Sequence, residues 1–266
     1  MKNHSAPGGA LSPWSSPPYC PPPSNAALGG ELPTDCVFTH ATFRGGAGLS
    51  LLTSPELAAS VAPFLDDSAV PRWMRDHPSQ QAEGRRRPYV VRDLPGRGKG
   101  IVARRGFRKH EAVMVGFPVL FARMDFVNSL HFGESQIRRM FQRAVNQLSA
   151  EKKTEILGLS RSTGGADLIR DVMKTNGFAI DIEGVQHMAL FTEGSRVNHA
   201  CRPNTFWRYS NRHMAMEVVA LRDIEPGEEI THACKYAPRL HLRGAQADDQ
   251  VVGIYLPMLN VHCSTK

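Results

Sequence analysis

Apolar residues recur at helical spacing between residues 136 and 148, with arginines on the opposite face. The apolar positions are Ile137, Met140, Phe141, Ala144, Val145 and Leu148. A repeat of three to four residues places these side chains on one side of a helix, so the pattern predicts an amphipathic helix. A second helix is predicted over residues 152–159, and the Ser- and Gly-containing residues 160–165 end it. Earlier in the chain, Ser54-Pro55-Glu56 predicts the start of a short helix that runs toward Val61.

Short runs rich in β-branched residues predict strands on both sides of this helical region. They cover residues 89–91, 101–103, 113–115, 178–182 and 214–221. Turns containing Gly or Pro separate them, at residues 95–100, 183–184 and 225–228. The predicted fold class is therefore α+β and β-rich, with short β-sheets and a helical insert over about residues 121–175.

Two stretches of the chain repeat each other at a constant offset of 117 residues. The first contains Ala103, Arg105, Phe107, Glu111 and Val113, and the second contains Ala220, Arg222, Ile224, Glu228 and Ile230. Each stretch has the pattern of a strand, a turn and a strand. The repeat suggests that two similar β units from opposite ends of one domain pack together.

The N-terminal region differs in composition from the rest of the chain. Residues 1–35 are rich in Pro, Ser and Gly, and such a segment buries too little apolar surface to offset the entropy of ordering. Residues 36–83 give an ambiguous pattern. We therefore predict a mostly disordered region over 1–83, a folded domain over 84–238 and an atypical tail over 239–266.

The charge of the chain is unevenly distributed. The net charge is +7, and residues 84–110 hold ten Lys or Arg against a single Asp. Such a stretch suits nucleic acid, an acidic partner or an anionic cofactor, and it also suits a solvated surface. No helix-turn-helix, zinc-finger or RNP-like motif accompanies it, which leaves direct nucleic-acid binding weakly supported.

The cysteines and the hydropathy bear on the compartment. Five cysteines are widely scattered and include no Cys-x-x-Cys pair, so we predict neither a disulfide framework nor a zinc site. No run of about 18 apolar residues is present, and the first residues lack the apolar core of a signal peptide. These features predict an intracellular protein, cytoplasmic or nuclear, that is not bound to a membrane.

Three segments have the composition of a binding site. The first is the glycine loop Gly98-Lys99-Gly100, which lets backbone N–H groups approach a ligand. The second is the ten-residue segment 195–204, SRVNHACRPN, whose Asn and His offer donors and acceptors to a purine-like or ribose ligand. The third is GEEIT at 227–231, followed by Tyr236. A glycine loop or an Asn-His pair alone is more often structural, whereas the complete second segment is far more specific.

Taken in this order, the three segments resemble the SET-domain family, and most of all its fungal-type and MYND-associated members. The resemblance covers about residues 85–237. It implies a protein-lysine N-methyltransferase that uses S-adenosyl-L-methionine and acts on a protein, histone or otherwise, that presents a lysine. It also implies that the helical insert forms one wall of the substrate groove.

The resemblance also implies roles for individual residues. It assigns the cofactor to six of them: Gly98, Lys99, Gly100, Arg196, Asn198 and His199. Aromatic rings attract a methylated ammonium, so Phe206, Trp207 and Tyr209 are candidates for the lysine channel, while core packing is the alternative for at least one of them. Tyr236 is the candidate for the hydroxyl that orients the reacting methyl group.

The C-terminal end departs from the family pattern. The family's Tyr would fall at position 234, where this chain has Cys234, and Tyr236 lies two residues further on. Two residues of strand correspond to about 6–7 Å. The tail contains only Cys263 where relatives often carry a Cys-rich zinc segment, so no metal is expected. The alternative function is therefore a catalytically impaired SET-like binding protein or a truncated SET remnant.

Overall fold

A computed structural model describes residues 12–21, 35–80, 87–128, 132–162, 164–233 and 254–255. Its largest sheet has six strands, and all neighbouring pairs are antiparallel except β2 and β6. In spatial order these strands are β1 (Cys36–His40), β2 (Leu49–Thr53), β6 (Leu120–Arg123), β8 (Val185–Leu190), β7 (Phe178–Ile182) and β13 (Ile254–Tyr255).

Two smaller sheets complete the β structure. One consists of β10 (Thr205–Ser210), β11 (Ala215–Ala220) and β5 (Ala112–Gly116). The other consists of β3 (Tyr89–Leu94), β4 (Gly98–Ala103), β12 (Glu229–His232) and β9 (Asn198–His199). The predicted class, α+β with short β-sheets, is confirmed.

The helices lie mostly between β6 and β7. They are α1 (Phe43–Gly46), α2 (Pro55–Val61), α3 (Arg72–Arg75), α4 (Met124–Val127), α5 (Glu134–Asn146), α6 (Ala150–Leu157) and α7 (Leu168–Asn176). The amphipathic helix predicted over 136–148 is α5, whose apolar face is buried against β1 and β2. The sequence pattern did not reveal α7, although it buries Ile169, Val172 and Met173.

Residues 36–80 of the N-terminal region form defined elements, whereas the sequence predicted a mostly disordered region over 1–83. Strands β1 and β2 lie at one edge of the six-stranded sheet, and α2 begins at the predicted position because the Ser54 hydroxyl accepts a hydrogen bond from the Leu57 N–H. All five residues of β2 are buried. The Pro-rich composition of 1–35 does not continue into 36–53, where the short apolar runs pair with each other and, through β2, with β6.

A disulfide joins Cys20 to Cys36, although the scattered cysteines predicted no disulfide framework. Residues 12–21 add to the edge of β1, where Tyr19 and Val37 form an antiparallel bridge and Trp14 packs on Phe38 with ring centroids 5.2 Å apart. Scattered spacing in the sequence did not reveal the pair, because the two cysteines meet only where residues 12–21 lie along β1.

The repeated stretches form a pair with approximate two-fold symmetry, as the sequence suggested. Phe107 and Ile224 exchange both backbone hydrogen bonds, each 2.9 Å long, at the centre of the contact. On either side of this bridge, β5 pairs with β11 and β4 pairs with β12. Equivalent ion pairs recur in the two units: Arg105 with Glu111, and Arg222 with Glu228.

Candidate functional site

The three sequence motifs meet in the four-stranded sheet. The hairpin β3–β4 carries the glycine loop, β12 carries the third motif, and β9 carries Asn198 and His199. Strand β12 pairs with β4 on one side and with β9 on the other, through Thr231 with Asn198 and His232 with His199. Residues that are about a hundred positions apart in the chain are therefore neighbours in space.

Gly100 is the point at which the glycine loop touches the second motif. A Cβ atom at this position would lie 2.7 Å from the Asn198 Nδ2 atom, 2.4 Å from Leu94 Cδ1 and 3.1 Å from Glu229 Oε1. Only glycine leaves room for these atoms. The residues Gly98 and Gly100 were predicted to lie in a turn, but they form the start of β4, where Leu94 pairs with Gly98 and Arg92 with Gly100.

A polar network connects the loop to the other two motifs. The Asn198 amide donates to Glu229 Oε1 at 2.9 Å, and the Arg97 guanidinium lies 3.4 Å from Glu229 Oε2. Arg97 also donates to the His199 carbonyl oxygen at 2.8 Å. Lys99, by contrast, is half exposed and lies 3.5 Å from Asp93 on the outer side of the hairpin. Arg97 and Glu229, which sequence reasoning did not select, therefore hold Asn198 and His199 in place.

His199 lies partly buried beside a second histidine. Burial lowers the pKa of His199, and the nearby Arg97 charge lowers it further. Its Nε2 lies 3.6 Å from the Cys201 sulfur. His232, which pairs with it on β12, is completely buried, and burial lowers the pKa of His232 to about 3. Both rings are therefore neutral near pH 7, and the site can offer uncharged imidazole donors and acceptors.

Asn204 joins the second motif to the third. Its Nδ2 donates to the Glu229 carbonyl oxygen at 2.8 Å and to Glu228 Oε1 at 3.0 Å. Its Oδ1 accepts from the Thr231 N–H at 2.8 Å. Asn204 is buried, so these bonds replace water at groups that would otherwise be unsatisfied. Asn204 is the last residue of the second motif, so the sequence contained a signal for it, but Asn204 was not among the predicted site residues.

Arg196 contacts the helical insert. Its guanidinium donates to the Gly158 carbonyl oxygen at 2.8 Å, and Gly158 is the residue that ends α6. Burial lowers the pKa of Arg196. The predicted cofactor residue thus also fixes α6 relative to β9.

The three predicted channel aromatics are buried on β10. Trp207 and Tyr209 share one face of the strand and belong to the main core, with Trp207 packed on Phe178 at a ring distance of 5.0 Å. Tyr209 packs between Phe121 and Phe191 at 6.2 and 6.0 Å. Burial raises the pKa of the Tyr209 hydroxyl. Among the described residues that hydroxyl has no hydrogen-bond partner.

The predicted catalytic residue Tyr236 lies outside the described residues, as do Cys234 and Cys263. Within the part of the chain that the structure describes, no three His, Cys, Asp or Glu side chains are grouped as metal ligands would be. Every described helix is too short or too polar to cross a bilayer.

The basic stretch 84–110 is neutralised in part by carboxylates from other segments. Four of its eight described cations form ion pairs: Arg87 with Glu193, Arg97 with Glu229, Lys99 with Asp93, and Arg105 with Glu111. The Lys109 N–H also donates to Asp223 at 2.7 Å. The stretch is therefore a mixed-charge surface, which does not favour nucleic-acid binding.

Comparison with known proteins agrees with the motifs. The family model for the SET domain matches residues 98–235, just over half of the chain, and the chain belongs to this family. A crystal structure of a Plasmodium falciparum "putative histone methyltransferase" is similar at 13% identity with a TM-score of 0.30, over 57% of this chain and 96% of that one. A search of the curated proteins found no match.

Proposed function

We propose that this protein is a protein-lysine N-methyltransferase that uses S-adenosyl-L-methionine. Membership of the SET family supports the reaction class. The observation that carries the proposal is the close approach of Gly100, Asn198 and Glu229, which brings the three motifs to one place. Because a Cβ atom would fill the space at Gly100, only glycine lets the backbone at this position lie directly against Asn198 and Glu229.

The residues present fit the methionine end and the nucleoside of the cofactor. Gly98 is exposed, and its backbone conformation, with φ near +67°, is one that glycine adopts readily. Asn198 and His199 are half-buried and uncharged near neutral pH, which suits hydrogen bonds to a ribose and a purine. In the proposed function, Gly98, Lys99, Gly100, Arg196, Asn198 and His199 hold the cofactor. When bound, S-adenosylmethionine supplies a methyl group on a positively charged sulfur.

The protein must also deliver an uncharged lysine. A dry channel lowers the pKa of an ammonium group because burial disfavours the charged form. The candidates for such a channel are Phe206, Trp207 and Tyr209. Trp207 and Tyr209 pack in the main core, so we propose that Phe206, on the other face of β10, borders the channel. Alignment and electrostatics then provide most of the rate enhancement, since methyl transfer to an amine needs no covalent enzyme intermediate.

Tyr236 is proposed as the orienting hydroxyl. Tyr236 lies two residues beyond the position of the family's Tyr. Reacting groups tolerate a displacement of only about 1 Å, so this shift bears directly on whether the chain can catalyse the reaction. The alternative function, a SET-like binding protein with impaired catalysis, is favoured by Cys234 at that place. Membership of the fungal-type or MYND-associated branch, a histone or other lysine substrate, and an intracellular location are further parts of the proposal.

Titration calorimetry of the full chain with S-adenosylmethionine and S-adenosylhomocysteine tests the cofactor site. We expect binding of both ligands by the wild-type chain and strongly weakened binding by His199→Ala. Equal affinity in the variant would remove the second motif from the site. Absence of binding by the wild-type chain would contradict the proposed function.

A further inference from the structure

A cavity of about 280 Å³ is lined in part by residues 191–194, which directly precede the second motif. Its volume is near the small end of ligand pockets, roughly 300–1,000 Å³. Seven of its sixteen lining residues, including the turn 44–47 and Gln80, precede residue 98, where the match to the SET family begins. The cavity is therefore built jointly by the SET domain and by the N-terminal segment of this chain.

The cavity is close to the second motif. Its wall includes residues 191–194, and Gly194 begins the short 3-10 helix Gly194–Arg196 that leads directly to Asn198. Asn198 lies five positions after Glu193, so their Cα atoms are at most about 18 Å apart. A bound peptide that places one side chain in the cavity therefore needs only a few further residues to reach Asn198 in the proposed cofactor site.

The three cations that line the cavity are each engaged by the protein. Arg44 donates to four backbone carbonyl oxygens and to Asp67, and it stacks between Phe43 and Phe117. Arg87 pairs with Glu193. Lys152 donates to both carboxylate oxygens of Glu155, at 2.8 and 2.9 Å. A ligand that enters the cavity therefore meets cations whose charge is already balanced.

Glu151 is different from the other charged residues of the wall. It is exposed, and among the described residues it forms neither an ion pair nor a side-chain hydrogen bond. The rings of Phe117 and Phe191 line the same cavity. Phe117 already has the Arg44 guanidinium over its ring, 5.5 Å from the centroid, so the attraction for a further cation comes from the Glu151 carboxylate.

We propose that this cavity binds a lysine or arginine side chain of a basic peptide that flanks the methylated lysine. The statement that the peptide belongs to a methylation substrate rests on the proposed function. The binding of a basic peptide at Glu151 does not rest on it, because the cavity and its charges are independent of the cofactor motifs.

The test measures fluorescence anisotropy of a labelled peptide of alternating Lys and Ser with the full chain. We expect Glu151→Gln to weaken binding roughly two- to fivefold, the range for a partly exposed ion pair. Glu56→Gln is the matched control, because Glu56 occupies the same position in α2, the second residue after a Ser N-cap, and does not line the cavity. This control should bind the peptide as the wild type does.

Two results would overturn the assignment. One is equal affinity of Glu151→Gln and Glu56→Gln for the Lys and Ser peptide. The other is equal affinity of the wild-type chain for a matched peptide of alternating Glu and Ser. Calorimetry with S-adenosylhomocysteine on the same samples separates the two proposals. A chain that does not bind this ligand but loses peptide affinity at Glu151→Gln would contradict the proposed function and support the cavity assignment.

Discussion

The substitution Gly100→Ala probes the contact on which the proposed site depends. The added Cβ would lie 2.7 Å from the Asn198 amide nitrogen and 2.4 Å from Leu94 Cδ1, whereas ordinary contacts begin at 3.4 Å. The end of the Leu94 side chain can rotate away. The Asn198 amide is held by Glu229 at 2.9 Å, so its retreat would break that hydrogen bond or shift β9.

The magnitude follows from the cost of overpacking. An added methyl group in a filled site costs about 1–3 kcal/mol, which lowers Tm by about 2–12 °C for a domain of this size. A displaced Asn198 should also weaken S-adenosylhomocysteine binding at least about tenfold, which corresponds to about 1.4 kcal/mol. Loss of affinity should therefore exceed what reduced stability alone produces, since most molecules stay folded at 25 °C.

The assay is calorimetric titration with S-adenosylhomocysteine, together with thermal unfolding of the same samples. Gly106→Ala is the matched control, at a glycine that follows the end of β4. A Cβ atom there would lie 3.6 Å from its nearest neighbour, the Ile224 carbonyl oxygen, which is an ordinary contact. The control should keep both affinity and Tm. If Gly100→Ala keeps them as well, the reasoning that Gly100 must be flat against Asn198 is refuted.

Three further predictions concern the framework around the site. Asn204→Ala should destabilise the protein by about 1–3 kcal/mol in urea unfolding, because the buried Thr231 N–H loses its acceptor; an unchanged midpoint would contradict the role of Asn204 as a connection between motifs. Burial lowers the pKa of His187 to about 4. As the pH falls, this histidine therefore takes up a proton in the unfolded chain before it does so in the folded chain. The free energy of unfolding should fall by about 3 kcal/mol between pH 6.5 and 4. His187→Gln should flatten this part of the pH profile, and an identical slope in the variant would rule the histidine out as its source. Cys20→Ser should lower the free energy of unfolding by about 3 kcal/mol, the entropy of a loop of this length, and an unchanged urea midpoint would contradict a stabilising role of this disulfide.

The sequence was most informative where a pattern was local. The apolar repeat in α5 predicted a buried face, and the Ser54 cap predicted the start of α2. The 117-residue repeat predicted two β units in contact, which the Phe107–Ile224 bridge confirms. These features depend on spacing or on short-range hydrogen bonds, and both can be read from neighbouring residues.

The sequence was least informative where stability depends on distant partners. Strands β1 and β2 lie in a region whose sequence pattern is ambiguous, and β2 pairs with β6, which comes much later in the chain. The Cys20–Cys36 disulfide depends on the same edge of the sheet. Glu229 belongs to the third motif and Arg97 directly precedes the glycine loop, but only the pairing of β4, β12 and β9 shows that they hold Asn198 and His199.

The most direct test of the central proposal is methyl transfer from radiolabelled S-adenosylmethionine to a mixture of histones and other proteins, followed by acid hydrolysis and amino-acid analysis. The proposed function predicts label in N-methylated lysine with the wild-type chain, and a sharp loss of label with His199→Ala and with Tyr236→Phe. Cofactor binding without labelled lysine would contradict the proposal of an enzyme and would support the SET-like binding protein instead.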